Sequence, residues 1–307
     1  MSKSFLHAVL RCCYNNPFIM SALADHSIYA VVVLYRCSPD ESPTVQHLRK
    51  HLPPHGGDVK VLIYDNSPNR WDGAFEAGWV YHHDPSNGGI AAAYNTAFHM
   101  AQGSAEWLLL LDQDSSLSED FLEKLFVARD RCGQDHQVAA VVPRIYTGGV
   151  LISPWQVKLG RRIRERDTGL RPYEITALNS GSMVRVGFLA QLGGFNPVFW
   201  LDFLDYWLYH QIHTHGYRVF VSQASMTHNL SLLSDNYVGR ERYENILAAE
   251  TTFTNCYRPR LEQMLYPIRL LLRSVEQALS MNKRHVALST LAETARQLKF
   301  LFTGFYP

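Results

Sequence analysis

The sequence predicts an α/β fold on a mostly parallel sheet, followed by a helical C-terminal region. Three observations predict it. Short apolar runs without helical spacing recur at 29–35 (YAVVVLY), 59–64 (VKVLIY), 79–82, 107–111 and 138–142, as expected of strands buried on both faces. Helical stretches stand between them, and such alternation implies right-handed βαβ units. After Gly239 the apolar spacing becomes helical as far as the C-terminus.

Taken in order, Ser42-Pro43 supplies an N-cap and a first-turn proline for a helix running to about Leu52. The second strand ends at Asp65-Asn66-Ser67-Pro68, a cluster of turn formers. Asn87-Gly88-Gly89 opens an alanine-rich helix that runs to about Ala101. The fourth strand ends at Asp112-Gln113-Asp114, and Ser118-Glu119-Asp120 is expected to cap the next helix. Beyond Val142 the alternation stops. Residues 158–171 (KLGRRIRERDTGLR) read as a mobile basic loop, either a solvated connection or a lid whose arginines meet an anion. Short strands are expected around 176–186, a turn at 193–197, a helix over about 202–215 closed by Gly216, and a strand over 217–221.

The chain has 307 residues, 47% of them hydrophobic and 19% charged, so it buries a core and is not disordered throughout. Its 29 Lys+Arg against 28 Asp+Glu give a net charge of +1, which argues against a surface built to grip nucleic acid. The average hides an asymmetry: residues 258–307 hold eight Lys/Arg and three Asp/Glu, a local +5, and the rest carries −4. The five cysteines, at 12, 13, 37, 132 and 256, form no CxxC pair, as expected of reduced thiols in a cytoplasmic protein. Arg11 interrupts the apolar start, which argues against a signal peptide, and no apolar run approaches the ~20 residues of a spanning helix.

Ligands of such a sheet bind beyond the carboxyl ends of its strands, where both polar clusters fall. Asp112 and Asp114 are hard oxygen donors suited to Mg²⁺ or Mn²⁺; local chemistry alone favours helix-capping acids, and the strand-end position speaks for the ligand reading. Asp202 and Asp205 lie three apart at a helix start, among Phe199, Trp200, Leu201, Phe203, Leu204, Tyr206 and Trp207. They either complement the helix dipole or, in so apolar a wall, supply a general base. His228, just past the strand at 217–221, is a metal ligand or a hydrogen-bonding residue. His210, His213 and His215 suit a helix end and receive no chemistry. Asn87-Gly88-Gly89 offers backbone N–H groups to a phosphate or sugar. The absence of GxGxxG, GxxxxGK[ST] and GxSxG disfavours oxidoreductase, NTPase and hydrolase readings.

Together these segments resemble the family 2 glycosyltransferases, inverting enzymes of the GT-A fold, and more closely the bacterial rhamnosyltransferase-like members that build surface polysaccharides such as O-antigen. The matching pieces are VVVLYRC at 31–37, VLIYDNSPN at 61–69, HHDPSNGGIAAAYNTA at 82–97, WLLLLDQDSSLSEDFL at 107–122, NSGSMVRVGFLAQLGGFNPVFWLDFLDYWL at 179–208 and GYRVF at 216–220. The resemblance implies a GT-A-like nucleotide-sugar-binding domain over 28–238, preceded by an extension at 1–27 and followed by a helical region at 239–307. It implies that Asp65 contacts the nucleotide base, that Asp112 approaches the ribose, and that Asp114 holds a divalent metal. Asn87, Gly89 and Asn95 would shape the donor pocket; Asn179, Gly181 and Ser182 would line its junction with the acceptor. His228 matches a position that helps bind metal in some relatives, and Asp205 matches the catalytic base. Tyr206 stands before Trp207 where many relatives carry an acidic residue, which leaves Asp202 as the alternative base.

The expected reaction is transfer of a sugar, with rhamnose from dTDP-rhamnose as the first guess, to a hydroxyl of a growing, lipid-linked surface glycan. The alternatives are another hexose from a UDP-sugar, a metal-dependent nucleotidyltransferase, or a non-catalytic sugar-nucleotide-binding protein. In the tail, Leu261, Met264, Leu265, Ile268, Leu271, Leu272 and Val275 recur on one helix face beside Arg258, Arg260, Arg269 and Arg273. That face either packs on the catalytic domain or a second subunit, or lies on the anionic inner face of the plasma membrane.

Overall fold

The structure is a computed structural model that describes residues 27–52, 59–133, 135–158, 161–228, 239–280 and 282–303. The expected N-terminal extension, with Cys12 and Cys13, lies outside the described residues apart from its last position. The first half runs β1 (Ile28–Leu34), α1 (Pro43–His51), β2 (Val59–Asp65), β3 (Trp79–His83), α2 (Gly89–Ala101), β4 (Trp107–Asp112), β5 (Ser115–Leu117) and α3 (Phe121–Cys132). It continues with β6 (Val138–Thr147), β7 (Val150–Ser153), β8 (Trp155–Lys158), β9 (Arg161–Arg164), β10 (Gly169–Arg171), β11 (Met183–Arg185) and α4 (Val186–Leu192). A 3₁₀ turn (Pro197–Phe199), α5 (Leu204–Thr214), β12 (Arg218–His228), α6 (Arg240–Tyr257), α7 (Arg260–Leu279) and α8 (Arg284–Thr303) complete the chain.

Two compact units form: residues up to 195 together with 212–228, and residues 196–211 together with those after 228. The first unit holds the sheet, in the order β10-β12-β6-β11-β4-β1-β2-β3. Strands β3, β2, β1 and β4 are mutually parallel, β11 is antiparallel to both neighbours, and β6 is parallel to β12. Every residue of β1 is buried. Side chains alternate across a strand, so Ile28, Ala30, Val32 and Leu34 join a core with Val45 and Leu48 of α1 and Phe121 and Leu125 of α3. On α2, Ala91, Ala93, Ala97 and Ala101 are buried, and small side chains let that helix sit close to β1. Covering both faces is what makes uninterrupted apolar runs read as strands here.

Several local expectations change. Residues 158–171 are not a plain loop: β8 and β9 pair as a hairpin, with the Arg162 guanidinium 5.1 Å from the Trp155 ring centroid. Arg171 lies 3.7 Å from the buried Glu165 carboxylate. These contacts engage two of the arginines of the segment; Leu159 and Gly160 lie outside the described residues. α4 replaces the end of the strands expected over 176–186, and β12 runs on to His228 instead of stopping at Val221. α5 begins at Leu204, which leaves Asp202 ahead of the helix. Asp120 occupies the N-cap of α3 without making a side-chain cap; its carboxylate meets Lys124 at 2.5 Å and the Ser118 hydroxyl at 2.9 Å instead.

The second unit is helical. Phe199, Phe203, Tyr206, His210, Phe253 and Tyr257 form an aromatic cluster, with neighbouring ring centroids 4.8 to 6.1 Å apart. Elsewhere a small apolar cluster of Leu247, Tyr266 and Leu270 is joined by buried polar groups. The Tyr243 hydroxyl lies 2.7 Å from the Thr290 hydroxyl and accepts from Gln277 Nε2 at 2.8 Å, and Arg273 forks onto Glu250 at 2.6 and 2.7 Å. Among the described residues, no helix is long and apolar enough to cross a membrane.

Candidate active site

The strand order places β2 and β3 on one side of β1 and β4 on the other, so the chain changes direction across the sheet between β1 and β4. Crevices of this kind, at the carboxyl ends of parallel strands, are ligand sites. The register puts carboxylates on both sides of the end of β1: Leu34 pairs with Asp65 of β2, and Val33 pairs with Asp112 of β4.

The turn after Asp112 is held from three directions. The Ser42 hydroxyl, which also caps α1, donates to the Gln113 carbonyl at 2.7 Å. The buried Thr44 hydroxyl donates to the carbonyl of Asp112 at 2.6 Å, with that of Ser115 at 3.1 Å. The Gln113 side chain both accepts from the Tyr35 N–H at 2.7 Å and donates to the Tyr35 carbonyl at 3.2 Å. With the middle residue turned to β1, the two aspartates remain for ligands.

β5 then pairs antiparallel with the end of β12, in the register Ser115 to His228, and so brings a residue distant in sequence to the turn. The ligand atoms of Asp112, Asp114 and His228 all lie within 4.8 Å of one another. His228 Nδ1 is 3.6 Å from Asp114 Oδ1 and 3.2 Å from Ser115 Oγ, which in turn is 3.0 Å from Ser180 Oγ. Loss of water pushes the Asp112 carboxyl above its ordinary range; His228 opposes the rise and Asp114 adds to it. Two carboxylates and an imidazole gathered so closely match the donor chemistry of a divalent cation such as Mg²⁺ or Mn²⁺.

Asp65 is 2% exposed. Its oxygens accept from the Ser67 N–H at 2.8 Å and the Tyr81 hydroxyl at 2.7 Å; burial first, and then this bond, push the Tyr81 hydroxyl up to about 12. Beside it, Asn66 is equally buried, and its Oδ1 has no hydrogen-bond partner among the described residues. Asn87 adopts φ 54°, and Gly89 φ 75°, where a side chain would be strained. Asp84 builds this turn by accepting from the N–H groups of Ser86 and Gly88 and from the Tyr64 hydroxyl. Its hydrogen bonds, led by that from the Ser86 hydroxyl, hold its carboxyl below the usual range. Asn95 has a structural partner: its amide accepts from the Phe195 N–H at 2.7 Å and donates to the Phe195 carbonyl at 2.9 Å. The pair staples α2 to the chain leaving α4.

Residues 179–182 run beside β4. The Gly181 N–H donates to the Leu110 carbonyl at 2.7 Å, and the Leu110 N–H donates to the Ser182 carbonyl at 2.9 Å. Gly181 has φ 77°, and a Cβ there would meet Pro143 at 2.7 Å and Met226 at 2.9 Å. Asn179 is buried, and its Oδ1 has no hydrogen-bond partner among the described residues.

In the second unit, Asp205 lies in the first turn of α5, and its Oδ1 accepts from the Tyr206 N–H at 2.8 Å. Phe203, just before the helix, holds φ 64°, an uncommon conformation for a bulky residue. Asp202 is bound on both oxygens by Arg242, one of the contacts at 2.7 Å. That fork makes the carboxylate an ion-pair partner of α6.

A separate cavity of about 280 Å³, lined in part by Glu123, Arg131, Thr168 and Gln223, holds none of these residues.

The profile of the family described as Glycosyl transferase family 2 matches residues 18–189, more than half of the chain. The chain belongs to glycosyl transferase family 2. The sheet and its helices are the GT-A fold of that family. None of the curated proteins matches the chain in sequence. Among solved structures, GalNAc-T7 with UDP, GalNAc and Mn²⁺ is similar at a TM-score of 0.54 and 12% identity, over 100% of this chain and 67% of that one. S. aureus TarS is similar at 0.52 and 13% identity, over 89% of this chain and 49% of TarS. This glycosyltransferase thus spans about half the length of TarS.

Several residues that build the site of this glycosyltransferase were missed in the sequence. Thr44, Ser115 and Ser180 act through contacts across the sheet, for which sequence offers no local signal, whereas Asp84 builds its turn from its own neighbours Ser86 and Gly88. Asn66 could have been found, since it stands inside the turn cluster that drew attention to Asp65.

Proposed function

We propose that this glycosyltransferase moves a sugar from a nucleotide-sugar donor to a hydroxyl of a growing surface glycan, with inversion at the anomeric carbon. The observation that carries the reading is the convergence of Asp112, Asp114 and His228 within 4.8 Å at the end of β4. Asp114 and His228, with Asp112, would hold a divalent ion; when bound, that ion supplies positive charge opposite the leaving nucleoside diphosphate.

The roles of the protein's own residues follow from the same reading. Asp65, with Asn66 beside it, faces the nucleotide base, and Asp112 faces the ribose. Asn87 and Gly89 bring backbone close to the donor, and Asn179, Gly181 and Ser182 flank it from the turn that leads into β11. Asp205 takes the proton of the acceptor hydroxyl, since its competitor Asp202 is already paired with Arg242. A single displacement needs no covalent nucleophile. Residues 28–238 form the catalytic region and 239–307 a helical region. We place the reaction on the cytoplasmic side of the plasma membrane, with a lipid-linked acceptor.

dTDP-rhamnose is the first donor to try. UDP-sugars stand beside it because the GalNAc-T7 structure holds UDP. The test is a panel of dTDP- and UDP-sugars measured for binding and for Mn²⁺-dependent hydrolysis. Binding and hydrolysis of one of them is the expected result; binding of none would refute the reading.

A further inference from the structure

The helical hairpin of α7 and α8 buries a mixed face, in which polar side chains stand beside Tyr266, Leu270, Val286 and Ala287. Ser274, Gln277, Ser289, Thr290, Thr294 and Gln297 are buried. The outward face of α7 is aliphatic: Leu261, Leu265, Ile268, Leu272, Val275 and Leu279 recur at intervals of four and three and are 42% to 77% exposed. On α8, Leu288, Leu291 and Leu298 are exposed as well. A hairpin that buries glutamine, serine and threonine while leaving a continuous row of six aliphatic side chains outward calls for an apolar phase outside it, since a patch of this size is rarely left in water.

Charge indicates which phase. Arg260, Arg269, Lys283, Arg284, Arg296 and Lys299 are exposed, against Glu276 as the exposed acid of these two helices and their connection among the described residues. At 100° per residue, Arg260 and Arg269 fall on opposite borders of the α7 stripe, where long side chains keep the charge in the headgroup layer while their stems cover apolar surface. A second copy of the chain suits the surface less well. Two-fold pairing would lay this basic surface on itself, and the stripe lacks the tryptophan or tyrosine anchors on which protein interfaces rely.

We propose that the outward face of α7 and α8 lies in the surface of an anionic lipid bilayer, with the leucines in the acyl boundary and the arginines among the headgroups. The inference stands apart from the choice of donor or acceptor, because its test reads binding without catalysis.

The test is flotation of the full chain with phosphatidylcholine vesicles, with and without phosphatidylglycerol. The chain should float with the phosphatidylglycerol vesicles, and added salt should weaken that binding. Replacing Leu261, Leu272 and Leu279 together by serine should lower partitioning by about tenfold or more. Arg260→Gln and Arg269→Gln should each lower it about fivefold. The variants should keep wild-type circular dichroism, since all five side chains are exposed. Failure of the wild-type chain to float, or equal flotation of the serine variant, would overturn the proposal. So would a wild-type dimer that the serine variant converts to monomer in sedimentation without any lipid binding.

Discussion

The hydroxyl of Thr44 donates to the carbonyl oxygen of Asp112 at 2.6 Å, so the first turn of α1 fixes the backbone from which the carboxylate cluster projects. Thr44 itself is fully buried. Thr44→Val keeps the shape and leaves the carbonyl short of a donor, which should cost about 1–2 kcal/mol of stability. Thr44→Ser should restore most of it. Thermal unfolding of the two variants, with Mn²⁺ titration alongside, checks this.

If Asp112, Asp114 and His228 hold a cation, chelation by EDTA should stop transfer, and added Mn²⁺ should restore it. Asp114→Asn should weaken Mn²⁺ binding by about tenfold or more, because a neutral amide is a poorer ligand for a hard cation. Calorimetric titration reads this without a sugar donor, and unchanged affinity would count against the assignment.

Asp205 and Asp202 should separate cleanly. In Asp205→Asn the amide oxygen can still accept from the Tyr206 N–H, so the start of α5 should survive while kcat falls by about 10² to 10⁴. Nucleotide-sugar binding should persist. Asp202→Asn instead breaks the fork with Arg242, a partly exposed pair, and should lower stability by about 1–2 kcal/mol with a much smaller effect on kcat. Kinetics paired with chemical denaturation distinguishes the two.

His47 sets a pH dependence unrelated to catalysis. Burial, with help from neighbouring His51 and Lys50, lowers its pKa to about 4, and its ring stacks on His51 with centroids 4.2 Å apart. The folded state therefore resists protonation that the unfolded chain accepts below its ordinary value near 6.5. The stabilising contribution is complete above about pH 6.5 and declines as the pH falls toward 4. His47→Gln should flatten the Tm profile across that window.

Gly181 should tolerate no side chain. Ala at this position would combine φ 77° with contacts at 2.7 Å to Pro143 and 2.9 Å to Met226, for a loss of about 2–4 kcal/mol. Urea denaturation of Gly181→Ala measures it, and a loss of less than about 1 kcal/mol would mean that the neighbours yield easily.

The sheet was legible wherever burial on both faces produced unbroken apolar runs, as in β1 and β4. α1 was legible because its cap, Ser42-Pro43, is written locally. The hairpin β8–β9 was hidden by its arginines, which made alternating strands resemble a solvated loop. α4 was hidden because VGFLAQL suits either a strand or a short helix until Gly193 ends it with φ 77°. The site divides in the same way. Asp112 and Asp114 announce themselves by adjacency at a strand end. His228 approaches them only through pairing of β5 with β12, a register that no local spacing encodes. The roles of Asn95 and Asp202 depend on partners 100 and 40 residues away, and sequence alone could not supply either partner.

In the motif Asp112-Gln113-Asp114 the middle residue belongs, in this chain, to the architecture. Its amide closes a two-way bond with the backbone of Tyr35, and thereby ties the exit of β1 to the exit of β4. A shorter or purely acidic residue there would leave one or both Tyr35 groups open and free the two loops to move separately. The residue between the two aspartates is thus the clasp of the crevice.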